Sequence, residues 1–571
     1  MQNPVVEFID FGFHYQAQSE PTLKSINLQI EKGEKILIAG PSGSGKSTLG
    51  YCINGLIPHF YKGQTTGKLL INGQDTKDKE IFDLSKMVGT VLQDADGQFI
   101  GLTVGEDIAF SLENECIPQE EMIERVKKVS GIVHIENHLK SSPQELSGGQ
   151  KQRVALGGVL VDNVDILLFD EPLANLDPAT GKYAIELIDE LSKQTGKTII
   201  IIEHRLEDVL WRHMDHIVLM EQGKIVQEAT PDEMLCSGML RKRGIREPLY
   251  VTALSYAGVH LVPDMHPSNL DLMDIDKLRE PLKNWYNKIT LSPIQPEKDV
   301  ILSLSHINFS YNEDFQVLKD ISFTIHRGEM TAIVGKNGAG KSTLCKLICG
   351  FEKQDSGTIL MDGKDMSGVT IKERAENIGY VMQNPNQMIS KALIREEVGL
   401  GLSLRNVPQS EINERVDNVL KICGLYPFRN WPVSALSYGQ KKRVTIASIL
   451  ILEPKILLLD EPTAGQDYRH YTEIMEFLQK LQSDGKTILL ITHDMHLMQE
   501  YAPRAIVIAD GTLINDGPSA QALTNPDIIN PANLKETSLF TLAKKAGIED
   551  PYGFVERFIS FEREEREKCL L

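Results

Sequence analysis

The sequence has few of the features that would place a chain in a membrane, outside a cell or on nucleic acid. Among its 571 residues no uncharged apolar run approaches the ~20 that a helix needs to cross a bilayer, and the longest, such as Thr198-Ile-Ile-Ile-Ile, are strand-sized. The chain is therefore expected not to span a membrane itself. Its start, Met1-Gln-Asn-Pro-Val-Val-Glu, lacks the basic and apolar regions of a signal peptide. Cysteine is scarce: there are seven, none in the paired spacing of a metal site. Cys345 and Cys349, four apart, read as neighbours on one buried helix face. A reducing, cytoplasmic compartment is expected. Positive charge is also in deficit, with a net charge of -19, which argues against a surface built mainly for nucleic acid, so no nucleic-acid partner is expected. Hydrophobic residues make up 41% of the chain, an ordinary share for a soluble globular protein, and the length allows about three to four average domains.

What is present is punctuated by glycine. Gly40-Pro-Ser42-Gly43-Ser-Gly45-Lys46-Ser47 follows the apolar strand Lys35-Ile-Leu-Ile-Ala and opens a helix. Gly335-Lys-Asn337-Gly338-Ala-Gly340-Lys341-Ser342 follows Met330-Thr-Ala-Ile-Val in the same way. The glycines let the backbone curl so that successive N–H groups and the helix N-terminus face a phosphate chain. The lysine adds positive charge and the hydroxyl a Mg²⁺ ligand. A glycine-rich turn matching by chance is the alternative for one isolated copy. Two copies, each between a strand and a helix, remove it, and each P-loop is a candidate nucleoside-triphosphate site.

The rest of the chain is also written twice. Lys46 to Lys341 is 295 positions; Gln93 to Gln383, Ser147 to Ser437 and Asp170 to Asp460 are each 290; His204 to His493 is 289. One domain has been duplicated in tandem. The five-residue difference falls around Pro58-His-Phe-Tyr-Lys-Gly-Gln-Thr-Thr, which reads as a surface loop. Alternating apolar strands and amphipathic helices in each half indicate an α/β domain with a largely parallel sheet. The expected divisions are a first domain at 1–234, a connector or accessory segment at 235–297, a second domain at 298–520 and a C-terminal accessory segment at 521–571. Six prolines between Pro248 and Pro296 break any long helix in the connector. Gly244-Ile-Arg-Glu-Pro-Leu-Tyr-Val-Thr-Ala-Leu loosely matches Asn533-Leu-Lys-Glu-Thr-Ser-Leu-Phe-Thr-Leu-Ala, which suggests a small accessory element behind each half. The terminal Glu562-Arg-Glu-Glu-Arg-Glu-Lys reads as a solvated helix end.

Other repeated residues fall where chemistry is expected. Tyr15 and Tyr311 precede the two P-loops; each ring either stacks on a base or is a half-buried strand aromatic, and both readings stay open. Gln93 and Gln383 end apolar strands, and in open α/β sheets ligands sit beyond the carboxyl ends of strands. Leu146-Ser147-Gly148-Gly149-Gln150 leads into an apolar helix, with Ser147 placed to cap it and free N–H groups making a second anion site. The strands Asp165-Ile-Leu-Leu-Phe and Lys455-Ile-Leu-Leu-Leu run into Asp170-Glu171 and Asp460-Glu461. In each pair the aspartate is placed to hold Mg²⁺ through water and the glutamate to polarise an attacking water. His204 and His493 end a further strand at the same edge.

The ordered set of P-loop, glutamine, Leu-Ser-Gly-Gly-Gln, Asp-Glu and histidine resembles the ATP-binding-cassette (ABC) ATPases over both halves. The resemblance implies the α/β P-loop fold in tandem copies, each with a helical signature subdomain, and ATP hydrolysis coupled to transport across a membrane. It also implies ATP and Mg²⁺ as cofactors. Each ATP would be sandwiched between one half's P-loop and the other's signature, intramolecularly and so at high effective concentration. Carried over residue by residue, nucleotide would be held by Tyr15, Gly40, Ser42, Gly43, Gly45, Lys46, Ser47 and Thr48 in the first half, opposite Ser437, Gly439 and Gln440. The other site would pair Tyr311, Gly335, Asn337, Gly338, Gly340, Lys341, Ser342 and Thr343 with Ser147, Gly148, Gly149 and Gln150. Mg²⁺ would be held by Ser47, Gln93 and Asp170 and by Ser342, Gln383 and Asp460. Catalysis would fall to Glu171, His204 and Gln93 and to Glu461, His493 and Gln383. The second signature, Leu436-Ser-Tyr438-Gly-Gln, departs from the family at Tyr438, so two competent sites are expected, the one using Tyr438 slower. Gln466 stands where the first half has Leu176.

After Gln93 comes Asp-Ala-Asp-Gly-Gln98, and after Gln383 Asn-Pro-Asn-Gln387, with register restored at Glu106 and Glu396. These stretches, and Gly244-Ile-Arg-Glu-Pro-Leu-Tyr, look like the energy-coupling-factor (ECF) importers for vitamins and for cobalt or nickel ions. In that family the segment contacts helices of a membrane subunit. The resemblance implies a peripheral subunit on the cytoplasmic face of the membrane, with integral transmembrane and substrate-binding components as partners. A soluble two-cassette, ribosome-associated translation factor is the alternative, but its linker is expected to be a long basic helical hairpin, and this connector is proline-broken and mixed in charge. A fused sugar or peptide importer is the third reading; one cassette is often degraded there, whereas both here keep lysine, glutamate and histidine.

Overall fold

Three four-residue apolar runs, Ile36–Ala39 after Lys35, Ile166–Phe169 before Asp170 and Ile199–Ile202 after Thr198, form the middle of the first half, and every position in these strands is buried. Strands covered on both faces read as continuous apolar runs, which is why these three carry no alternation. The protein is described from a computed structural model covering all residues except 1–3, 17, 19, 93–96, 175, 291–298, 313–314, 465 and 571, with side chains through residue 565. By contacts the chain divides into Met1–Leu282 with Asp467–Arg469, and Lys283–Gln466 with His470–Leu571.

The strands of the first half are β1 (Val6–Tyr15), β2 (Leu23–Ile30), β3 (Lys35–Ala39), β4 (Gly63–Ile71), β5 (Gln74–Asp75), β6 (Val88–Val91), β7 (Ile166–Asp170), β8 (Thr198–Ile202), β9 (His216–Glu221) and β10 (Lys224–Ala229). They form a four-stranded sheet, β2-β1-β4-β5, and a six-stranded sheet, β10-β9-β3-β8-β7-β6. All pairings in the larger sheet are parallel except β10 with β9. The second half repeats this order, from Thr512–Pro518 through Arg504–Ala509, Met330–Val334, Thr487–Ile491 and Ile456–Asp460 to Ile378–Val381. The expected duplicated α/β fold is the observed one. Between β6 and β7 lie the helices Val104–Asn114, Gln119–Ile132 and Gly148–Leu160, and the second half has Ile394–Ser403, Gln409–Ile422 and Tyr438–Leu450 in their place.

Each half has its own core between the two sheets. Phe8, Phe13, Ile38, Leu49, Leu168 and Ile202 belong to the first. Phe309, Ile333, Leu344, Leu458 and Ile491 belong to the second, which also buries Cys345 and Cys349 as helix-core residues. β3 is tied down at its start, where the buried Lys35 ammonium pairs with Asp189 on the helix Pro178–Thr195.

Two details differ from the sequence reading. The extra segment after the first P-loop is not simply a surface loop: Leu56–His59 is a short kinked segment in which Ile57 has extended backbone and is buried, and Gly63 already belongs to β4. The terminal charged run is not wholly solvated, since Arg563 Nε donates to Glu500 O at 3.1 Å. Behind the two halves, the helices Leu249–Tyr256 and Ser538–Lys545 begin 289 residues apart, each following a left-handed residue, Gly244 and Asn533. Trp285, late in the connector, packs edge-on against Phe554 of the last helix, with ring centroids 5.4 Å apart.

Candidate functional site

Parallel pairing brings the chemistry together. Register places Ile38 beside Ile202, Asp170 beside Ile202 and Val91 beside Phe169, so the P-loop, Asp170-Glu171, His204 and the segment after Val91 leave the sheet at one edge. The second half sets Ile333 beside Ile491, Asp460 beside Ile491 and Val381 beside Leu459. This is the carboxyl edge at which open α/β sheets bind ligands. Gln93 itself lies outside the described residues; Gln383 follows its strand by two positions.

The glycines of the P-loops are required for two separate reasons. Gly43 and Gly338 have φ of +75° and +78° with open space where a Cβ would sit, so their backbone stands clear. At Gly40 and Gly335 a Cβ would lie 2.4 Å from Met220 O and 1.9 Å from Ile508 O, because the loop turns hard against the neighbouring strand. Lys46 is buried and its ammonium folds back onto Gly40 O (2.7 Å) and Pro41 O (3.0 Å); Lys341 does the same on Gly335 O (2.8 Å) and Lys336 O (2.9 Å). Burial pulls Lys46 below the usual lysine range against the fields of the nearby carboxylates. Tyr15 and Tyr311 hydroxyls lie 3.1 and 3.3 Å from Thr48 and Thr343, on the first turn after each P-loop.

The acidic pairs sit in strained backbone. Glu171 and Glu461 have φ of 49° and 46°, left-handed for a non-glycine residue, and are held there by N–H bonds to Ile202 O (2.9 Å) and Ile491 O (3.0 Å). Such strain costs of order 1–3 kcal/mol and marks functional positions. Burial and the adjacent Glu171 charge push Asp170 up to about 6. Burial also acts to raise Glu171, but the hydrogen bond and charge of His204, with Lys46 and Arg205, hold it below the ordinary glutamate value. Glu461 is pushed up by burial and by Asp460. His204 Nδ1 lies 3.6 Å from Glu171, and His493 Nε2 lies 3.4 Å from Glu461.

The residues fit a divalent cation held partly by phosphate. Ser342 Oγ donates to Asp460 Oδ2 at 3.1 Å, and Asp170 Oδ1 is a buried oxygen with no hydrogen-bond partner. Among the described residues no group of three or more histidine, cysteine and carboxylate side chains gathers into a cage. Mg²⁺ typically takes one or two protein oxygens plus phosphates, which this arrangement matches. At the signatures, Ser147 with Gln150 and Ser437 with Gln440 form reciprocal capping boxes at the N-termini of 13-residue helices.

The profile of the family described as "ABC transporter" matches residues 23–174 and again 318–464. A putative ABC transporter ATP-binding protein of Clostridium perfringens is 58% identical over 98% of both chains. This chain belongs to the ABC transporter family. It is an ABC ATPase, a transporter's ATP-hydrolysing subunit. A putative ABC transporter ATP-binding protein of Enterococcus faecalis is 56% identical to this ABC ATPase over 99% of it and all of that protein. A second profile, described as "ATP-binding cassette cobalt transporter", matches residues 237–309. A solved chain of cbiO1 from Clostridium perfringens, part of the ABC transporter complex cbiONQ, is 39% identical over 41% of this chain and 95% of its own, with a TM-score of 0.39.

Two charged residues of the ABC ATPase site escape sequence reasoning. Glu203 is 1% exposed, and its carboxylate accepts from His204 N (2.8 Å), Arg205 N (3.2 Å) and Leu173 N (3.3 Å). Thr492 stands at that place in the second half, its hydroxyl accepting from Asp494 N at 3.0 Å. Lys442, 1% exposed on the helix Tyr438–Leu450, is the other. The signal for Glu203 was an acidic residue closing the run Ile199–Ile202, where a carboxylate inside a sheet needs partners.

Proposed function

We propose that this ABC ATPase is the energy-coupling subunit of an ECF-type importer for a vitamin or a metal ion, with two ATP sites composed between its halves. The observation that carries the reading is the match of residues 237–309, most of the connector and the start of the second half, to a profile described for a cobalt transporter. Exposed apolar side chains on the segments around the two glutamines, Leu92, Ile100 and Leu102 in the first half and Leu393 in the second, support contact with a membrane partner there. Among the described residues no helix is long and apolar enough to cross a membrane, and in this reading the substrate passes through other subunits.

In this reading Lys46 and Lys341 exchange their P-loop carbonyls for phosphate oxygens when ATP binds. The N–H groups of Gly43 and Gly338 face the same phosphates. Ser47, Asp170 and Gln93, and Ser342, Asp460 and Gln383, would hold Mg²⁺, which when bound neutralises phosphate charge. Glu171 and Glu461 accept a hydrogen bond from the attacking water, and His204 and His493 orient those carboxylates. Ser147, Gly149 and Gln150, with Ser437, Gly439 and Gln440, complete the opposite sites from the N-termini of their helices. Hydrolysis then reopens the halves, and the Gln93 and Gln383 segments pass the movement to the membrane partner.

Glu171→Gln combined with Glu461→Gln is expected to retain ATP binding and lose turnover by at least about 100-fold, the scale of a general base. Undiminished turnover would remove both residues from the mechanism. The importer reading itself is tested by gentle detergent purification from the native cells. Integral membrane proteins in fixed ratio are expected, and ribosomes in their place would overturn it.

A further inference from the structure

Lys442 is a point at which the two signature helices differ in charge. It lies on Tyr438–Leu450, whereas Gly148–Leu160 has the neutral Gln152 at the position 290 residues earlier. Lys442 is 1% exposed, and its ammonium donates to Met382 O at 2.8 Å and to Gln383 O at 2.6 Å. One turn earlier, the Tyr438 hydroxyl donates to the same Gln383 carbonyl at 3.3 Å. A buried ammonium persists only where acceptors and anions compensate its lost hydration. Here the two carbonyls do so, together with the charges of Asp460 and Glu461. Gln152 is used differently: its amide donates to Pro172 O at 2.5 Å, on the segment just past Glu171, and Gly148 has no side chain to reach anything.

We propose that Lys442, with Tyr438 beside it, is a positioning residue that braces the end of the Gln383 strand against the signature helix of its own half. The inference rests on reading Gln383 as a contact to nucleotide and Mg²⁺. The tyrosine that departs from the family signature is thereby given a use, since its hydroxyl adds a third bond to the brace. Charge-assisted bonds to two successive carbonyls fix that strand end more firmly than a neutral amide can. Gln383 is then held in place before ATP arrives, and displacement of a positioned group by about 1 Å can cost about 100-fold in rate.

The test uses the full chain carrying Glu171→Gln, so that the remaining turnover comes from the second half's acidic pair. Into it go Lys442→Gln, which installs the first half's own residue, Lys442→Met and Lys442→Arg. The glutamine and methionine variants are expected to lose about 10-fold or more in kcat, with KM for ATP nearly unchanged and a higher Mg²⁺ concentration at half-activity. Arginine, still a cation, restores most of the rate. Hydrogen exchange read by mass spectrometry should speed up in the peptide spanning residues 378–388 and stay unchanged in the matching peptide of the first half. Unchanged exchange in that peptide overturns the brace, as does a loss that arginine fails to rescue. Faster exchange with undiminished kcat keeps the brace and overturns the role of Gln383 instead. If the methionine variant does not fold, the glutamine variant carries the test.

Discussion

Replacing Glu203 by glutamine should lower the pKa of His204. His204 Nδ1 lies 3.5 Å from Glu203 Oε1 and 3.6 Å from Glu171 Oε1. Burial alone would push this imidazole below its usual value; the charge of Glu203, and after it the hydrogen bond and charge of Glu171, hold it above. Glutamine keeps an oxygen for the N–H groups of His204 and Arg205, gives up the bond from Leu173 N at every pH, and removes the charge. An opposite charge within about 4–6 Å moves a pKa by about 1–3 units. The His204 side chain is 22% exposed, so solvent screens part of that field, and the change expected in the variant is downward. The assay is NMR titration of isotope-labelled histidine between about pH 5 and pH 9, across the histidine range, with His204 assigned by its loss in His204→Gln. The sign in stability follows from linkage. A folded pKa raised above the unfolded value contributes stability that is complete below about 6.5 and is lost as pH rises through the folded value. The wild-type advantage over Glu203→Gln should therefore shrink as pH rises through that window. A His204 pKa that stays put or rises in the variant, or an advantage that grows with pH, would refute the electrostatic account.

Three further substitutions separate backbone and charge effects. Gly335→Ala must push its Cβ away from Ile508 O, 1.9 Å off, and should cost roughly 3 kcal/mol or more. Gly338→Ala meets nothing within 4 Å and should cost only the left-handed strain of about 1–2 kcal/mol. Thermal melting of the two variants reads the order, and a reversed order refutes it. Asp189→Asn leaves the buried Lys35 ammonium without its anion and should destabilise by about 3–5 kcal/mol in urea titration. Burial acts to raise the Asp189 pKa, but the hydrogen bonds of Lys193 and Lys35 hold it low. Its contribution is thus present above the unfolded value of about 3.9 and fades as pH falls through the folded one. A gap between wild type and Asp189→Asn that persists at full size in strong acid would count against the pairing.

Much of the site was legible because each of its parts terminates an uninterrupted apolar run. Lys35–Ala39 ends at Gly40, Ile166–Phe169 at Asp170 and Ile199–Ile202 near His204, and each polar or glycine residue there breaks the strand pattern. The duplication strengthened every such reading by repeating it at nearly constant spacing. Lys442 could not be found this way. In sequence it is the middle of Lys441-Lys442-Arg443, a basic run that normally marks a solvated helix face, and only the packing of that helix against the Gln383 strand buries it. The segment after Pro58 misled for a related reason: its turn residues suggest a loop, while Ile57 is drawn into the core and Gly63 pairs with Tyr15.

The sequence by itself determined the duplication, the α/β class, the two P-loops and the identity of the acidic pairs and histidines. Those depend on local pattern: a run of apolar residues chooses a buried strand, and glycine at a tight turn admits backbone that no other residue takes without strain. Only the tertiary structure decided which charges share a low-dielectric environment. It placed Glu203 against His204 where the second half has Thr492, and Lys442 on the Gln383 carbonyl where the first half has Gln152. The first joins immediate neighbours and the second joins residues 59 positions apart. Sequence distance does not predict them, because burial is set by how helices and sheet pack across the whole half.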